Sequence, residues 1–325
     1  MTPQPIIFSH IPKTAGTSFR AALEKTFTTQ KGLLDYGAVG STSPIIRELS
    51  VDQDDRFALH EYIQANDIRF ISGHMGARRY VTLFGASSMT TIFRDPIERA
   101  YSEYVHALMH TDFTGGVRKF VQKPGRNNMQ ANASADVPIP AFGQIGLTET
   151  YSESLADINH YFGLSLPELV LNKKESNAPS LADEPQGVIN KLREVNARDL
   201  ELYQDALDWL EIERQYGKRT DPSFVSGEVS QANRRAFHGW ASVAATDEPV
   251  VVELLRNGKP IQEARATLYR PRLREFKMNR DGHLGFEFRI HKYFDKARYE
   301  VVVKETKQPL LRGCLQEGVR STSVG

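Results

Sequence analysis

The segment that decides the fold is FSHIPKTAGTSFRAAL, residues 8–23. A short apolar run ends at a loop that contains one lysine, one glycine and several hydroxyl side chains. An apolar period typical of a helix follows, with Phe19 and Leu23 four residues apart. N–H groups at the start of a helix attract anions, and a glycine lets the backbone approach a ligand closely. The segment therefore predicts an anion-binding loop between a strand and a helix.

The loop side chains predict which residues hold the anion. Lys13 adds a full positive charge, Gly16 allows close approach, and Thr14, Thr17 and Ser18 add hydroxyl donors. The expected contact residues are Pro12, Lys13, Thr14, Ala15, Gly16, Thr17 and Ser18. In the loop of nucleotide triphosphatases the lysine follows the final glycine, whereas Lys13 precedes Gly16 by three residues. The alternative is a solvated Lys13 and a hydroxyl that only caps the helix.

A second anion site is predicted by IFRDPIERAYSEY, residues 92–104. Arg94 leaves the end of an apolar run, and Ser102 follows eight residues later in a predicted helix that starts near Pro96. A guanidinium fork suits a phosphate dianion, and a hydroxyl can complete its contacts. The alternative is a set of surface ion pairs, Arg94–Asp95 or Arg99–Glu103, beside a helix cap.

A histidine follows a third apolar run, in FISGHM, residues 70–75. His74 comes directly after a predicted strand and Gly73. Histidine is the usual general base near neutral pH, and we expect a partly buried imidazole oriented by a carbonyl or a carboxylate. The alternative is a histidine that only satisfies local backbone groups. His106 and His110 are four residues apart on one helix, but the sequence places no third ligand, so no metal is expected.

These motifs together resemble the sulfotransferases that use 3′-phosphoadenosine 5′-phosphosulfate (PAPS), in the branch that includes heparan sulfate 2-O-sulfotransferase. The resemblance implies that loop 12–18 binds the 5′-phosphosulfate and that Arg94 and Ser102 bind the 3′-phosphate. It also implies that His74 is the catalytic base, with Lys13 near the bridging oxygen. Three further segments are similar to the family: NNMQ (127–130), IGLTETYSESLADINHYFGL (145–164) and NARDLELYQDAL (196–207). Thr150 stands where the family usually has arginine.

The order of apolar runs predicts an α/β domain over residues 1–216, with a P-loop-type parallel sheet flanked by helices. Its predicted strands are PIIF (5–8), RFIS (69–72), MTTIF (89–93) and QIGL (144–147). Thr150 and Glu153 have the spacing of a capping box before the next helix. The polar, glycine-rich segment 111–136 is predicted to be a surface loop near the site. Because parallel strands end at one edge, the loop, His74 and Arg94 are expected along a common rim.

The pattern changes after residue 216. GKRTDPSFVSG, residues 217–227, is predicted to be a linker. Residues 228–315 are predicted to form a smaller all-β domain, an antiparallel sandwich or barrel, with Asn257-Gly258 at a hairpin turn. Residues 316–325 are expected to be a flexible tail. The resemblance covers about residues 5–216 only, and this second module is similar to β-modules attached to some bacterial glycan-modifying enzymes.

The amino-acid composition indicates which binding partners and which cell compartment to expect. The chain has 325 residues and a formal net charge of +1, which gives no sign of nucleic acid or a membrane surface as partner. From residue 225 onward there are 18 Lys and Arg against 12 Asp and Glu, so the predicted second module is basic. The single cysteine, Cys314, excludes an internal disulfide. No signal peptide and no transmembrane segment is expected, and a cytoplasmic location is the prediction.

The expected function is transfer of a sulfuryl group from PAPS to a hydroxyl of a carbohydrate or glycoconjugate acceptor, with or without anionic groups. The basic segment YRPRLREFKMNR (269–280) either holds an anionic glycan or is simply a solvated face. Two other functions remain open at this point. One is a P-loop kinase, which the position of Lys13 disfavours, and the other is a glycan-binding protein on an inactive transferase fold.

Overall fold

We analysed a computed structural model that describes residues 4–171, 179–233, 235–291 and 297–315, without the side chains of residues 231, 232 and 313–315. The predicted tail 316–325 and the thiol of Cys314 lie outside the described part of the chain. The chain divides into two compact units. The first comprises Met1–Val137 and Phe142–Ala206, and the second comprises Pro138–Ala141 and Leu207–Gly325.

The first unit is built on a parallel five-stranded sheet. Its strands are β1 (Ile6–Ser9), β2 (Gly32–Leu34), β3 (Phe70–Gly73), β4 (Met89–Phe93) and β5 (Gln144–Leu147), in the spatial order β2-β3-β1-β4-β5. Every residue of β1, β3, β4 and β5 is buried, as in sheets covered by helices on both faces. The predicted α/β class and four of the predicted strands are confirmed; β2 was not predicted.

Helices connect and cover these strands. They are α1 (Gly16–Phe27), α2 (Pro44–Ile46), α3 (Arg56–Ala65), α4 (Arg78–Phe84), α5 (Pro96–His110), α6 (Val117–Val121), α7 (Met129–Ser134), α8 (Tyr151–Phe162), α9 (Gln186–Val195) and α10 (Ala197–Tyr216). Helix α10 begins in the first unit and ends in the second. Phe19 and Leu23 of α1 are fully buried in a core with Phe8, as their spacing predicts.

The surface loop predicted for residues 111–136 is wrong. The segment contains α6 and α7, because Val117, Phe120 and Val121 have the i, i+3, i+4 spacing of a helix face and pack against α5. Helix α5 begins at Pro96, as predicted, and α8 ends just before Gly163, which adopts a left-handed conformation. Thr150 does precede α8, but its side chain makes no capping hydrogen bond.

The second unit carries an eight-stranded sheet. Its strands are β6 (Val225–Asn233), β7 (Ala236–Val243), β8 (Val251–Arg256), β9 (Lys259–Arg265), β10 (Leu268–Tyr269), β11 (His283–Arg289), β12 (Tyr299–Val303) and β13 (Pro309–Leu315), in the order β10-β11-β7-β6-β13-β12-β8-β9, with the short helix α11 (Pro271–Glu275). The Gln262 side chain of β9 donates to the Arg289 carbonyl of β11 at 2.8 Å, so the sheet is curled. The all-β class is confirmed, but the β13–β6 pair is parallel, so the sheet is mixed.

The predicted hairpin turn of the second unit is present, whereas the predicted linker 217–227 ends in a strand. Asn257 and Gly258 both have positive φ, 50° and 75°, as a type I′ turn requires between β8 and β9. Strand β6 begins at Val225, before the end of the predicted linker.

Among the described residues, no helix combines the length and apolar character that crossing a bilayer requires.

Candidate functional site

The three predicted site segments leave neighbouring strands at one edge of the first sheet. Strand β1 lies between β3 and β4, and all three run parallel. The loop at residues 10–15 follows β1, His74 follows β3 and Arg94 follows β4. The structure therefore brings these segments together at the carboxyl ends of adjacent strands, where ligands of open α/β sheets bind.

The loop after β1 presents free backbone N–H groups. Lys13 and Ala15 adopt left-handed conformations, with φ of 68° and 63°, which non-glycine residues adopt at an energetic cost. In the described part of the chain, none of the N–H groups of residues 14–17 donates a hydrogen bond. They precede or begin α1, so the positive end of the helix dipole lies beside them. This arrangement is suited to an anion such as a phosphate.

The loop hydroxyls do not all face this anion site. Thr14 is fully buried, and its hydroxyl donates to the Ile11 carbonyl at 2.9 Å. The Ser18 hydroxyl is also buried and accepts from the Leu171 N–H at 3.0 Å. Thr17 is half-buried, and its hydroxyl has no partner among the described residues. Direct side-chain contacts to an anion are therefore expected from Lys13 and Thr17, whereas Thr14 would contribute its N–H.

The His10 ring leaves no room for a side chain at Gly16. A Cβ at this position would lie 2.0 Å from Cδ2 and 2.4 Å from Nε2 of His10. The His10 ring is nearly buried and packs under the first turn of α1. The sequence motif explains Gly16 by the approach of an anion, and the structure adds the approach of an imidazole.

Lys13 lies beside a second positive group. Burial first, and the charge of Arg94 second, lower the pKa of the Lys13 ammonium, while Glu103 acts in the opposite direction. Among the described residues Lys13 makes no ion pair with a carboxylate. A cation that is partly buried and unpaired favours the binding of an anion between Lys13 and Arg94.

Arg94 joins the two predicted anion sites. Its Nη1 donates to the Lys13 carbonyl at 3.2 Å, and its Nη2 lies 3.6 Å from a carboxylate oxygen of Glu98. Ser102 lies one turn after Glu98 on the same face of α5, is half-buried, and its hydroxyl has no partner within the described ranges. The guanidinium and this hydroxyl therefore share one helix face. The alternative prediction, a surface ion pair between Arg94 and Asp95, does not hold, because the Asp95 carboxylate caps the start of α5 instead.

The backbone of Arg94 is fixed by a buried glutamine. The Gln130 side chain accepts from the Arg94 N–H at 2.9 Å and donates to the Arg94 carbonyl at 2.8 Å. Asp199 in turn accepts from the N–H groups of Gln130 and Ala131, at 3.2 and 2.8 Å. Burial is the main cause that raises the pKa of Asp199, and the two backbone N–H groups oppose it. Asp199 of α10 therefore fixes the start of α7, and Gln130 of α7 fixes the backbone of Arg94.

The segments NNMQ and NARD, which resemble the family, are bonded to each other. The Asn128 N–H donates to the Asn196 side chain at 3.0 Å, and the Asn128 side chain accepts from the N–H groups of Arg198 and Asp199. Sequence reasoning identified both segments but not this contact. They are 68 residues apart, and neither segment alone indicates its partner.

A buried ion pair lies behind the anion sites. Arg99 is fully buried, and its Nη1 contacts Glu103 at 2.8 Å. Arg126 contacts the other oxygen of Glu103. The pair that the alternative reading placed on the surface is therefore internal, and removal of either partner would leave a buried charge.

His74 follows β3 as predicted, but its surroundings differ from the prediction. The residue is exposed, and neither ring nitrogen has a hydrogen-bond partner among the described residues. Two aromatic rings meet it edge to face, His10 at 4.7 Å and Tyr36 at 4.8 Å between centroids. Partial burial first, and the charge of Arg20 second, lower the pKa of His74, while Glu103 opposes them. A lowered pKa keeps this imidazole neutral, as a base requires.

The residues that follow β2, Asp35 and Tyr36, were not predicted to belong to the site. Asp35 is fully buried directly after β2, with Arg79 Nε at 2.8 Å and the Tyr80 hydroxyl at 2.7 Å from one carboxylate oxygen. The next residue, Tyr36, accepts from Arg20 Nη1 at 2.7 Å. The only local signal is an aspartate after a glycine and two leucines, which is too short to predict a buried strand.

The remaining predictions concern a metal ion and the second unit. Within the described ranges, no group of three or more His, Cys, Asp or Glu side chains is placed to hold a metal ion. In the second unit, Tyr269, Arg272, Arg274 and Lys277 of the basic segment are exposed, and Arg274 pairs with Asp281 at 3.0 Å. Trp240 is buried.

Comparisons with known proteins give distant structural likeness only. No protein-family model matches the chain, and no curated protein matches its sequence. Similar solved structures include a sulfotransferase from Alicyclobacillus acidocaldarius, 15% identical, with a TM-score of 0.33 over 62% of this chain and 96% of that chain. Another is retinol dehydratase in complex with androsterone and inactive cofactor PAP, 14% identical, with a TM-score of 0.30 over 69% of this chain and 85% of that chain. Likeness at these scores carries no argument about activity, which rests on the site itself.

Proposed function

We propose that this protein transfers a sulfuryl group from PAPS to a hydroxyl of a carbohydrate or glycoconjugate acceptor. The observation that carries the proposal is the hydrogen bond from Arg94 Nη1 to the Lys13 carbonyl. It joins two anion sites at one sheet edge, as a nucleotide with phosphate groups at two positions of its ribose requires. The motifs of these sites resemble those of the sulfotransferases, in the same order along the chain.

The residues present fit such a donor. The free N–H groups of residues 14–17 and the ammonium of Lys13 would hold the 5′-phosphosulfate. The guanidinium of Arg94 and the hydroxyl of Ser102 would hold the 3′-phosphate. When bound, the donor supplies an electrophilic sulfur atom and a phosphate leaving group.

The chain supplies a base and a stabilising cation. Neutral His74 would accept the proton of the acceptor hydroxyl while the new O–S bond forms and the S–O bond to the phosphate breaks. Lys13 would stabilise the negative charge that develops on the phosphate oxygen. Positioning and charge stabilisation account for most of the catalysis in the related transfer of phosphoryl groups.

The acceptor class rests on the resemblance of residues 5–216 to the carbohydrate branch of the family. In the second unit, we propose that exposed basic residues hold an anionic acceptor. The double variant Arg272→Glu with Arg274→Glu would then raise KM for an anionic polysaccharide but not for a short neutral acceptor. Lys304→Glu, at another exposed site of this unit, is the matched control.

The direct test is a transfer assay with radiolabelled PAPS and a panel of glycan acceptors. We expect a labelled glycan and an equal amount of adenosine 3′,5′-bisphosphate, and roughly 100-fold less of both, or lower still, with the Lys13→Met variant. Thermal unfolding with each nucleotide separates the alternatives, because only a bound ligand stabilises the fold. Stabilisation by ATP but not by adenosine 3′,5′-bisphosphate, with label transferred from ATP, would replace the proposal with a kinase.

A further inference from the structure

His10 and His74 are brought together by the register of two strands. β1 and β3 pair in parallel with Ser9 opposite Gly73, and the His10 N–H donates to the Gly73 carbonyl at 2.9 Å. The next residue after each strand is a histidine. Their ring centroids lie 4.7 Å apart with an interplanar angle of 70°. The register therefore places one imidazole edge to face against the other.

The His10 ring is held on its other sides as well. Phe8 stacks on it with centroids 5.6 Å apart and an interplanar angle of 15°. Gly16, the first residue of α1, lies so close that a Cβ there would be 2.0 Å from the ring. Only 7% of His10 is exposed. The ring is thus enclosed by β1, by the first turn of α1 and by His74.

His10 acts through its shape rather than through hydrogen bonds. Its Nδ1 is buried, and no residue of the described ranges bonds to it, an unfavourable state for a polar atom. Burial first, then the charges of His74 and Arg20, lower the pKa of His10 to about 3. The ring is therefore neutral at physiological pH and presents an uncharged aromatic surface to His74.

Besides His10, three side chains from other elements act on the His74 ring, two through their charge and one through a ring contact. Arg20 of α1 is a cation, Tyr36 after β2 presents its ring at 4.8 Å, and Glu103 of α5 is an anion. Arg20 lowers the pKa of His74 and Glu103 raises it, but burial has the largest effect. His10 supplies part of that burial and no charge, so it covers one side of the base.

We propose that His10 is a positioning residue for His74: its enclosed ring fixes the orientation of the His74 imidazole and covers one side of it at the phosphate-binding loop. The inference rests on the proposed role of His74 as the base. The ring lies against Gly16 on one side and against His74 on another, so the rigid start of α1 holds it in place beside the base.

The test compares His10→Ala, which removes the ring, with His10→Phe, which keeps an uncharged ring of similar shape. The titration of the His74 imidazole is followed by NMR in the full chain, with its signal assigned from a His74→Asn variant. In His10→Ala we expect the pKa of His74 to rise towards its ordinary value of 6.5. The acid limb of the kcat profile should shift to higher pH with it, because a base must be neutral.

Turnover provides the second readout. His10→Ala should lower kcat by roughly 10- to 100-fold, because a displaced base loses its alignment. His10→Phe should recover most of that loss, and both variants should bind adenosine 3′,5′-bisphosphate within about threefold of the unmodified chain. If His10→Ala does not fold, His10→Leu, which fills the space without a planar ring, replaces it.

Two results would overturn the proposal: an unchanged His74 titration in His10→Ala, or a His10→Phe variant as impaired as His10→Ala. The titration needs no sulfuryl transfer. A shifted titration in a chain that transfers no sulfate would therefore support the contact between the rings while rejecting the proposed function.

Discussion

The Arg94 guanidinium donates to the main-chain carbonyl of Lys13 across 3.2 Å. Arg94 follows β4 and Lys13 follows β1, so this bond connects two neighbouring strand ends. It occupies one N–H group of the guanidinium and leaves others for a ligand. The two proposed anion sites are therefore joined by a direct hydrogen bond, and a change in either should affect the other.

Replacement of Arg94 tests this connection. Arg94→Lys keeps the charge but cannot both donate to the Lys13 carbonyl and bind a phosphate with two parallel hydrogen bonds. We expect the affinity for adenosine 3′,5′-bisphosphate, measured by calorimetry, to fall roughly 10- to 100-fold. Arg56→Lys, an exposed arginine of α3 that pairs with Asp54, is the control. Equal affinities for Arg94→Lys and the unmodified chain would contradict the assignment of this site.

Lys13 should affect turnover more than binding. Lys13→Met removes the positive charge beside the proposed leaving oxygen while it keeps a long, unbranched side chain. We expect kcat to fall roughly 100-fold or more, with a smaller loss of nucleotide affinity, because the charge develops only in the transition state. Steady-state kinetics separate the two effects. A variant that loses affinity and keeps its kcat would assign Lys13 to binding alone.

Asp199 should act on Arg94 from a distance. Asp199→Asn leaves one side-chain oxygen to accept from the N–H groups of Gln130 and Ala131, where the carboxylate offers two. We expect a loss of about 1–3 kcal/mol in the free energy of unfolding and a weaker affinity for adenosine 3′,5′-bisphosphate, because Gln130 holds Arg94. Asp208→Asn, on the same helix, is the control. Lower stability with unchanged affinity would mean that this network supports the fold only.

The buried His10 should make the fold sensitive to acid. The folded chain keeps His10 neutral down to about pH 3, whereas the unfolded chain protonates it below about 6.5. Between these values the unfolded state binds the extra proton, so stability falls as pH falls, by up to about 1.4 kcal/mol per pH unit. Above 6.5 this contribution is constant.

His10→Phe removes that titration. Urea unfolding at pH 7 and pH 4.5 should show that the variant loses less stability between the two values than the unmodified chain, by about 2–3 kcal/mol. The comparison within each protein cancels any change in packing that does not depend on pH. If the two proteins lose the same free energy of unfolding between pH 7 and pH 4.5, then His10 is protonated in the folded state as it is in the unfolded state, which contradicts this prediction.

The strand ends of the site could be predicted because each motif is local. Strand β4 coincides with the predicted MTTIF and β5 with QIGL, since both are continuous apolar runs. Strand β2 was missed because three residues show no period. The inward turn of Thr14 and Ser18 was also missed, since a hydroxyl beside a phosphate loop and one bonded to the fold look alike in sequence.

The support of the site could not be predicted, because it depends on long-range contacts. Gln130 fixes Arg94 across 36 residues, and Asp199 fixes Gln130 across 69. A sequence period reports which face of a helix is buried, but not which distant residue it meets. The ring contact between His10 and His74 depends in the same way on the pairing of β1 with β3.

The most direct measurement is a crystal structure of the full chain with adenosine 3′,5′-bisphosphate at saturating concentration. Our account predicts that its 5′-phosphate accepts from the N–H groups of residues 14–17 and that its 3′-phosphate contacts Arg94 and Ser102. A nucleotide bound elsewhere, or crystals that remain without nucleotide at this concentration, would contradict the proposed sulfuryl transfer.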